Sequence, residues 1–306
     1  MDIINGYQII KNFSAEDAGF CKWGFAEKGG YEYFIKEFLA PKYPLESHGL
    51  DPAAMEKKKK QCESFFAEKK KLYQAIASCR TGNVIAVEDF FRNGAKYYAV
   101  TQKVTATKLS LKQISELEQE KKYTLIRSLT YSIARLHSKS VIHADIKPEN
   151  ILIKKTEAGF YTGKIIDFDS GFLESSVPEE IQGDQVYLAP EVRLHMMGEK
   201  VSITTKLDIF ALGILFHQYW TGEMPSMLPD YDYVFESVLD DSPAFLDGSI
   251  PPVLRYIIEK MLEKDPASRP SAVDILRALD TTIPGRTSFP ENVRTREKGF
   301  RQLGDL

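Results

Sequence analysis

The chain has 306 residues, which is enough for one two-lobed domain or two modest ones. Its net charge of -3 gives no overall bias toward nucleic acid or an anionic membrane, so we expect no nucleic-acid partner. The longest apolar run, residues 209–216, is too short to span a bilayer, and the three cysteines lack paired or metal-ligand spacing. These features predict a cytoplasmic protein without a membrane segment.

The first forty residues predict strands and a candidate phosphate-binding lysine. Residues 7–38 alternate apolar and polar side chains between turn residues, which is typical of strands. Lys36 ends the last of these strands, and a cation there can hold the α- and β-phosphates of a nucleotide. Residues 39–54 contain three prolines and predict a long loop.

A long helix is predicted from Ala53 to Ala77. At 100° per residue, Glu68 lies at the edge of its apolar stripe, whereas Glu63 points nearly opposite. The lysine runs at 57–60 and 69–71 are typical of a solvated helix face, although a docking or nucleic-acid patch is the alternative. The stripe itself consists of Cys62, Phe65, Leu72 and Ile76.

A hairpin and a second helix are predicted after the long helix. Two strands, at 84–87 and 96–101, are predicted around Asn93-Gly94, a strong hairpin signal. Residues 122–138 then predict an amphipathic helix. Its apolar stripe contains Leu125, Ile126, Leu129, Ile133 and Leu136.

The stretch after this helix, from His143 to Asp169, combines the residues that phosphoryl transfer needs. That reaction requires in-line positioning, a carboxylate that orients the attacking hydroxyl and takes its proton, and oxygen ligands for magnesium. Asp145 and Asn150 lie five positions apart, and Asp167 follows after a hairpin-sized interval. Asp145 therefore suits the role of base, and Asn150 and Asp167 suit the metal.

Three motifs resemble those of eukaryotic-type serine/threonine protein kinases. Residues 143–150 read H-A-D-I-K-P-E-N, similar to H-R-D-x-K-x-x-N, and residues 167–169 read D-F-D, similar to D-F-G. Ile35-Lys36 resembles the end of the V-A-I-K strand. The resemblance covers roughly residues 7–280.

The resemblance implies an α+β, two-lobed fold with a nucleotide cleft between the lobes. Residues 1–104 would form a small β-rich lobe with one long helix and the hinge, and residues 105–284 a larger, mainly helical lobe. Residues 285–306 would be a tail.

The resemblance also implies roles for individual residues. Asp145 would be the catalytic base, Lys147 and Lys36 would hold phosphate charge, and Glu68, rather than Glu63, would pair with Lys36. His143 would be a packed structural residue rather than a proton shuttle. The remaining nucleotide contacts would come from the phosphate loop, the gatekeeper, the hinge backbone and the floor under adenine: Gly19, Thr101, Gln102, Val104 and Leu152.

Several positions depart from the family pattern on the nucleotide side. Gly19 is the lone glycine of the phosphate loop, with Glu16, Ala18 and Cys21 at the positions of the family's glycines. Trp23 and Phe34 stand where the family has valine and alanine. These changes put bulk on the expected roof over adenine and an acid near the phosphates.

Other departures concern regulation. Ala144 replaces the arginine that pairs with a phosphorylated activation loop, so activation by phosphate there is not expected. Asp169 replaces a glycine, which removes backbone freedom and disfavours a flipped Phe168. Asp184 replaces a threonine; we expect it to pair with Lys147 and to repel Asp145.

Three residues are expected to act structurally. Asp208 should bind the catalytic-loop backbone, and Arg269 should pair with Glu191.

The leading hypothesis is transfer of the γ-phosphate of ATP, with Mg²⁺ or possibly Mn²⁺, to a serine or threonine of a protein substrate. One alternative is a pseudokinase that acts as a nucleotide-binding or scaffold module. Another is nucleotidyl transfer from the same cleft, and a weaker one is a small-molecule kinase.

Overall fold

The computed structural model describes residues 2–16, 19, 21–45, 51–79 and 81–282. The predicted tail at 285–306 lies outside them. The chain forms two compact units, the first from residues 1–80 and 85–105 and the second from residues 81–84 and from 106 onward. No described helix has both the length and the apolar content to cross a membrane.

The first unit contains strands and one long helix: β1 (Ile3–Ile4), β2 (Tyr7–Ser14), β3 (Cys21–Lys28), β4 (Tyr31–Phe38), α1 (Pro52–Ser78), β5 (Val87–Asn93) and β6 (Lys96–Gln102). The strands form one antiparallel sheet in the order β1-β2-β3-β4-β6-β5. The turn between β3 and β4 uses Gly29 and Gly30 at φ values of 60° and 82°, which glycine adopts without steric cost.

The hairpin at Asn93-Gly94 is confirmed, but the predicted strand at 84–87 was wrong. β5 begins only at Val87. Val84 instead forms a parallel bridge with Ile165, and the backbone of Asn83 accepts a hydrogen bond from Ile165 at 2.8 Å. The apolar run at 84–87 therefore divides between two pairings, and such pairing between distant segments leaves no local pattern.

Helix α1 packs on one face of the sheet and confirms the predicted helix and stripe. Asp51 caps its first turn, since its Oδ1 accepts from the amides of Ala53 and Ala54 at 3.0 Å. Most side chains of the two lysine runs are exposed, as predicted. Cys62 lies in a buried cluster with Cys21, Phe38, Tyr97 and Ala99, against which Phe65 packs.

The second unit is mainly helical. Its helices are α2 (Leu111–Ser115), α3 (Gln119–His137), α4 (Pro190–Met196), α5 (Lys206–Thr221), α6 (Val234–Leu239), α7 (Pro252–Met261) and α8 (Ala272–Thr282). Its short strands are β7 (Val141–Ile142), β8 (Ile151–Lys155), β9 (Tyr161–Ile165) and β10 (Phe172–Leu173). The predicted stripe of α3 is buried throughout.

Helix α5 is the centre of the second unit. Every residue from Leu207 to Trp220 is buried, so the helix is enclosed on all sides. It ends at Gly222, whose φ of 86° is left-handed. Helix α5 is in contact with α2, α3 and α7, which cover its apolar side chains.

A buried ion pair joins the start of α4 to the segment before α8, as predicted. Arg269 donates to both carboxylate oxygens of Glu191, at 2.7 and 2.8 Å, and neither side chain is more than 4% exposed. Arg269 also donates to the carbonyls of Glu263, Lys206 and Lys264. The guanidinium thus satisfies acceptors from three segments.

Arg269→Ala is expected to lower the free energy of unfolding by about 3–5 kcal/mol, because it leaves the Glu191 carboxylate buried without its cation. Urea denaturation measures this loss. Arg277→Ala is the matched control, since Arg277 is largely exposed and its pair with Asp274 at 3.3 Å should contribute below about 1 kcal/mol. Equal costs for the two variants would contradict the interpretation.

Candidate active site

The loop after β7 is attached to α5 by one carboxylate. Asp208 accepts from the backbone amides of His143 and Ala144, both at 2.9 Å, and from His137 Nε2 at 3.0 Å. Asp208 is fully buried. The predicted contact between Asp208 and the catalytic-loop backbone is therefore confirmed.

His143 has the structural role that the sequence predicted. It is fully buried, its Nε2 lies 2.9 Å from the carbonyl of Ile166, and its Nδ1 accepts from the amide of Asp145 at 3.3 Å. Since Nδ1 accepts, the ring proton belongs on Nε2, which then donates to Ile166. The ring also packs against Phe168 with centroids 4.7 Å apart. His143 thus links the loop to the residues around Asp167.

The Asp145 carboxylate is oriented on both oxygens. Oδ1 accepts from the amide of Asp184 at 3.0 Å, and Oδ2 accepts from Asn150 Nδ2 at 2.8 Å. The same Asn150 nitrogen donates to the Asp145 carbonyl, also at 2.8 Å. These contacts hold a partly exposed carboxylate in one orientation, as a base that must align a hydroxyl requires.

Lys147 lies between two carboxylates. Its Nζ is 3.2 Å from Asp145 Oδ2 and 3.4 Å from Asp184 Oδ2. Burial alone lowers the pKa of Lys147, but the two neighbouring carboxylates outweigh burial and raise it. The predicted pair between Asp184 and Lys147 is confirmed, and the shared ammonium offsets the repulsion expected between Asp184 and Asp145.

The β8–β9 hairpin brings the proposed metal ligands toward each other. Ile151 pairs with Ile165, and the Asn150 carbonyl accepts from the amide of Ile166, the residue before Asp167. Because Asn150 uses its amide nitrogen for Asp145, its Oδ1 is the oxygen left for a cation. No described group of three or more His, Cys, Asp or Glu forms a metal cluster. An amide oxygen and one carboxylate fit Mg²⁺, which keeps waters and binds substrate phosphates.

Three of the other predicted nucleotide residues lie on β4 and β6 of the first unit. Lys36 is half-buried on β4, directly opposite Trp23 on β3 and Ala99 on β6. Thr101 lies opposite Phe34, and Gln102 is the last residue of β6.

The remaining predicted nucleotide residues lie in loops or in the second unit. Val104 follows β6 and is half-buried. Gly19 has a left-handed φ of 54°, and its neighbours Ala18 and Phe20 lie outside the described residues. Leu152 is half-buried in β8 of the second unit.

Glu68 is exposed on α1, where its Oε1 accepts from the Ser64 hydroxyl at 2.7 Å. This hydrogen bond spans one turn of the helix. Pairing between Glu68 and Lys36 stays a prediction.

Two features of the site were missed at the sequence level. The Asn150 side chain holds Asp145, and this side-chain contact has no sequence signature. Gly183 lets the activation segment, residues 167–191, approach the loop, because a Cβ there would lie 2.6 Å from the Ala144 carbonyl oxygen. The glycine beside Asp184 was a visible signal for this close approach.

A family model described as the protein kinase domain matches residues 53–279, which is more than half of the chain. The matched span contains Asp145, Asn150 and Asp167. It begins within α1, after Lys36 and Gly19.

The chain is similar to several kinases over part of their length. It is 34% identical over 154 residues to mitogen-activated protein kinase kinase kinase 8 of Rattus norvegicus, covering 46% of this chain and 30% of that protein. It is 29% identical over 200 residues to the serine/threonine-protein kinase CG17528 of Drosophila melanogaster, covering 63% and 25%. With the serine/threonine-protein kinase pkn2 of Myxococcus xanthus it shares 29% over 184 residues, covering 56% and 21%.

The chain spans less than a third of the length of these three relatives. The family model agrees with the family that the motifs of the sequence resemble. The chain therefore belongs to the protein kinase family.

Proposed function

We propose that this chain transfers the γ-phosphate of ATP, with Mg²⁺ or Mn²⁺, to serine or threonine hydroxyls of a protein substrate. The observation that carries the proposal is the Asp145 carboxylate, which is held on both oxygens within a loop anchored by Asp208. A fixed carboxylate at this point is what phosphoryl transfer requires of the protein.

In the proposed reaction, Asp145 accepts a hydrogen bond from the substrate hydroxyl and takes its proton. The hydroxyl oxygen forms a bond to the γ-phosphorus while the bond to the β-phosphate oxygen breaks, and ADP leaves. Lys147, 3.2 Å from Asp145, supplies positive charge beside the transferring group.

The metal and nucleotide roles are assigned by the chemistry of the side chains. Asn150 Oδ1 and the Asp167 carboxylate would hold Mg²⁺, which neutralises phosphate charge when bound. Lys36 would bind the α- and β-phosphates, aligned by Glu68. Gly19, Thr101, Gln102, Val104 and Leu152 would surround the rest of the nucleotide.

A pseudokinase is the second candidate, and one observation favours it. Trp23 and Phe34 stack on the same sheet face as Lys36, with ring centroids 5.8 Å apart. If the rings fill the space that adenine needs, the fold would act as a binding or scaffold module.

Asp145→Asn is expected to reduce phosphate transfer by about 10²- to 10⁴-fold, because the amide keeps the size of the side chain but cannot take the proton. Asp167→Ala should abolish transfer by removing a metal ligand. The assay follows label from γ-labelled ATP, with Mg²⁺ or Mn²⁺, into the protein itself and a generic basic protein. Asp230→Asn, an exposed carboxylate elsewhere, is the control and should leave transfer unchanged.

The other outcomes of this assay identify the rival functions. Transfer of label from α-labelled ATP would indicate nucleotidyl transfer. No transfer from either ATP would overturn the kinase proposal and favour the pseudokinase.

We expect the chain to transfer phosphate without phosphorylation of the activation segment. Asp184 pairs with Lys147, the Tyr187 hydroxyl donates to Gln218 at 2.7 Å, and Glu191 pairs with Arg269. These contacts fix the segment at three points, and Ala144 provides no cation for a phosphate.

Replacing Ser170, Ser175 and Ser176 together by Ala should therefore leave the transfer rate within about tenfold of the wild type. Steady-state transfer to the basic protein measures this rate. A larger loss, above about 1.4 kcal/mol in the barrier, would show that a phosphate on this segment matters.

Gly183→Ala is expected to lower the transfer rate by about 10²-fold, since the new Cβ would lie 2.6 Å from the Ala144 carbonyl oxygen and displace the catalytic loop. Gly248→Ala is the matched control, because a Cβ there meets nothing within 4 Å. Rates and melting temperatures of both variants separate a local displacement from a loss of fold. An unchanged rate in Gly183→Ala would show that the loop tolerates the shift.

A further inference from the structure

A buried histidine of α5 holds both ends of the segment that follows this helix, residues 222–250. His217 lies one turn before the end of α5 and is only 2% exposed. Its Nδ1 is 2.9 Å from the carbonyl of Glu223, and its Nε2 is 3.2 Å from the backbone amide of Asp247. The Thr221 hydroxyl is also 3.3 Å from Nδ1. The proposed phosphate transfer gives this ring no role.

These contacts fix the protonation state of the ring. The Asp247 amide can only donate, so Nε2 must accept from it, and the ring proton belongs on Nδ1. The Glu223 carbonyl can only accept, and it takes that proton in a hydrogen bond. Neutral imidazole therefore satisfies both partners. A second proton, on Nε2, would face the N–H of Asp247 and remove this hydrogen bond.

The surroundings of His217 favour the neutral ring. Burial lowers the pKa of His217, and this effect exceeds the opposite effects of the Glu223 carbonyl and the Asp247 carboxylate. Asp247 is exposed, and its carboxylate accepts from the amide of Ser249 at 2.7 Å. That carboxylate therefore belongs to the turn rather than to the buried surroundings of the ring.

The helices packed against α5 add cations near its end. Lys122 of α3 donates to the carbonyl of Trp220 at 3.3 Å and lies over the ring of Trp220, 4.2 Å from the centroid. On α2, the backbone of Lys112 approaches Gly222. These groups do not stabilise a second positive charge on His217. The charged side chains of α7 form pairs: Arg255 with Glu259, and Lys260 with Glu263.

The turn that His217 holds lies at the surface. Asp247, Gly248 and Ser249 are all exposed. A second hydrogen bond joins the turn to α5, from Trp220 Nε1 to the Ser249 carbonyl at 3.3 Å. An exposed turn that is attached by few hydrogen bonds opens locally at low cost. The loss of one of these bonds therefore changes how often the turn opens.

We propose that protonation of His217 releases the turn 247–249 from α5, so that mild acid loosens the segment 222–250. The segment also contains α6, which contacts α4 and Gln185–Tyr187 of the activation segment. Release of its end therefore weakens the support of the activation segment. This inference goes beyond phosphate transfer and applies whether or not the chain is active.

The direction of the pH effect follows from the lowered pKa of His217. When the turn is open, the ring should titrate near its ordinary pKa of 6.5, whereas the closed turn disfavours the proton. The closed turn is therefore fully favoured above this pH and loses stability as the pH falls below it. At pH 5.5, the equilibrium should be shifted toward the open turn by about tenfold.

Hydrogen exchange in peptides from residues 223–250 measures this opening. Protection factors, which correct for the intrinsic effect of pH, should fall about tenfold more in the wild type than in His217→Gln between pH 7.5 and 5.5. Glutamine can donate and accept like the neutral ring but does not titrate. His195→Gln is the matched control and should behave like the wild type. His195 donates only to carbonyls, those of Pro178 and Glu179, and an imidazolium can do the same.

Trp220 provides a second measurement that does not need a variant of His217. Its indole is 5% exposed and donates to Ser249 in the closed turn. The chain has two tryptophans, so Trp23→Phe leaves Trp220 as the single emitter. Its emission should move to longer wavelength at pH 5.5, because release of the turn admits water. Adding His217→Gln should remove this shift.

The outcomes separate local release from general acid unfolding and from the proposed function. Equal loss of protection in the wild type and His217→Gln, or an unshifted Trp220 emission, would overturn the inference. Loss spread over the whole second unit would also overturn it, since His143 likewise accepts from an amide. In an active kinase, the KM for the basic protein should rise more in the wild type than in His217→Gln at pH 5.5. Absence of transfer would overturn the kinase proposal alone, because exchange and emission decide the inference without it.

Discussion

The catalytic loop depends on one buried carboxylate. An ionised carboxylate in an apolar interior is unfavourable unless hydrogen bonds compensate it, and Asp208 accepts from two consecutive loop amides and from His137. Asp208 belongs to α5, whose residues from Leu207 to Trp220 are all buried. Its hydrogen bonds therefore fix the loop to a helix that is enclosed on all sides. The orientation of Asp145 follows from that anchor.

Around the loop, the departures from the family pattern both make the charge more negative. Asp184 adds a carboxylate 3.4 Å from Lys147, while Ala144 removes a cation that a phosphorylated segment would use. Lys147 then joins the loop to the activation segment by attraction between fixed charges. A connection of this kind forms when the chain folds and needs no phosphate, which is the basis of our expectation that phosphorylation is not required.

Local patterns predicted much of this molecule. The stripes of α1 and α3 follow from helical periodicity, whereas the contacts of Asp208 and Arg269 were expected from the resemblance to protein kinases. Pairing between distant segments was not predictable, because Val84 carries no sign that it bridges to Ile165. The contact of Asn150 with Asp145 was missed for the same reason, since an amide can donate and accept and only the folded geometry shows which it does.

The departures from the family pattern differ in physical kind between the two units. In the second unit they change charge around the catalytic loop, where Lys147 Nζ lies 3.4 Å from the Asp184 carboxylate. In the first unit Trp23 and Phe34 change volume and surface on the Lys36 face, where no charge is added or removed. In the proposed reaction, charge at the loop would act on the chemical step, and the rings of Trp23 and Phe34 would act on nucleotide binding. The two kinds of change are independent, since the first concerns Asp184 and Lys147 and the second concerns the Lys36 face of the sheet.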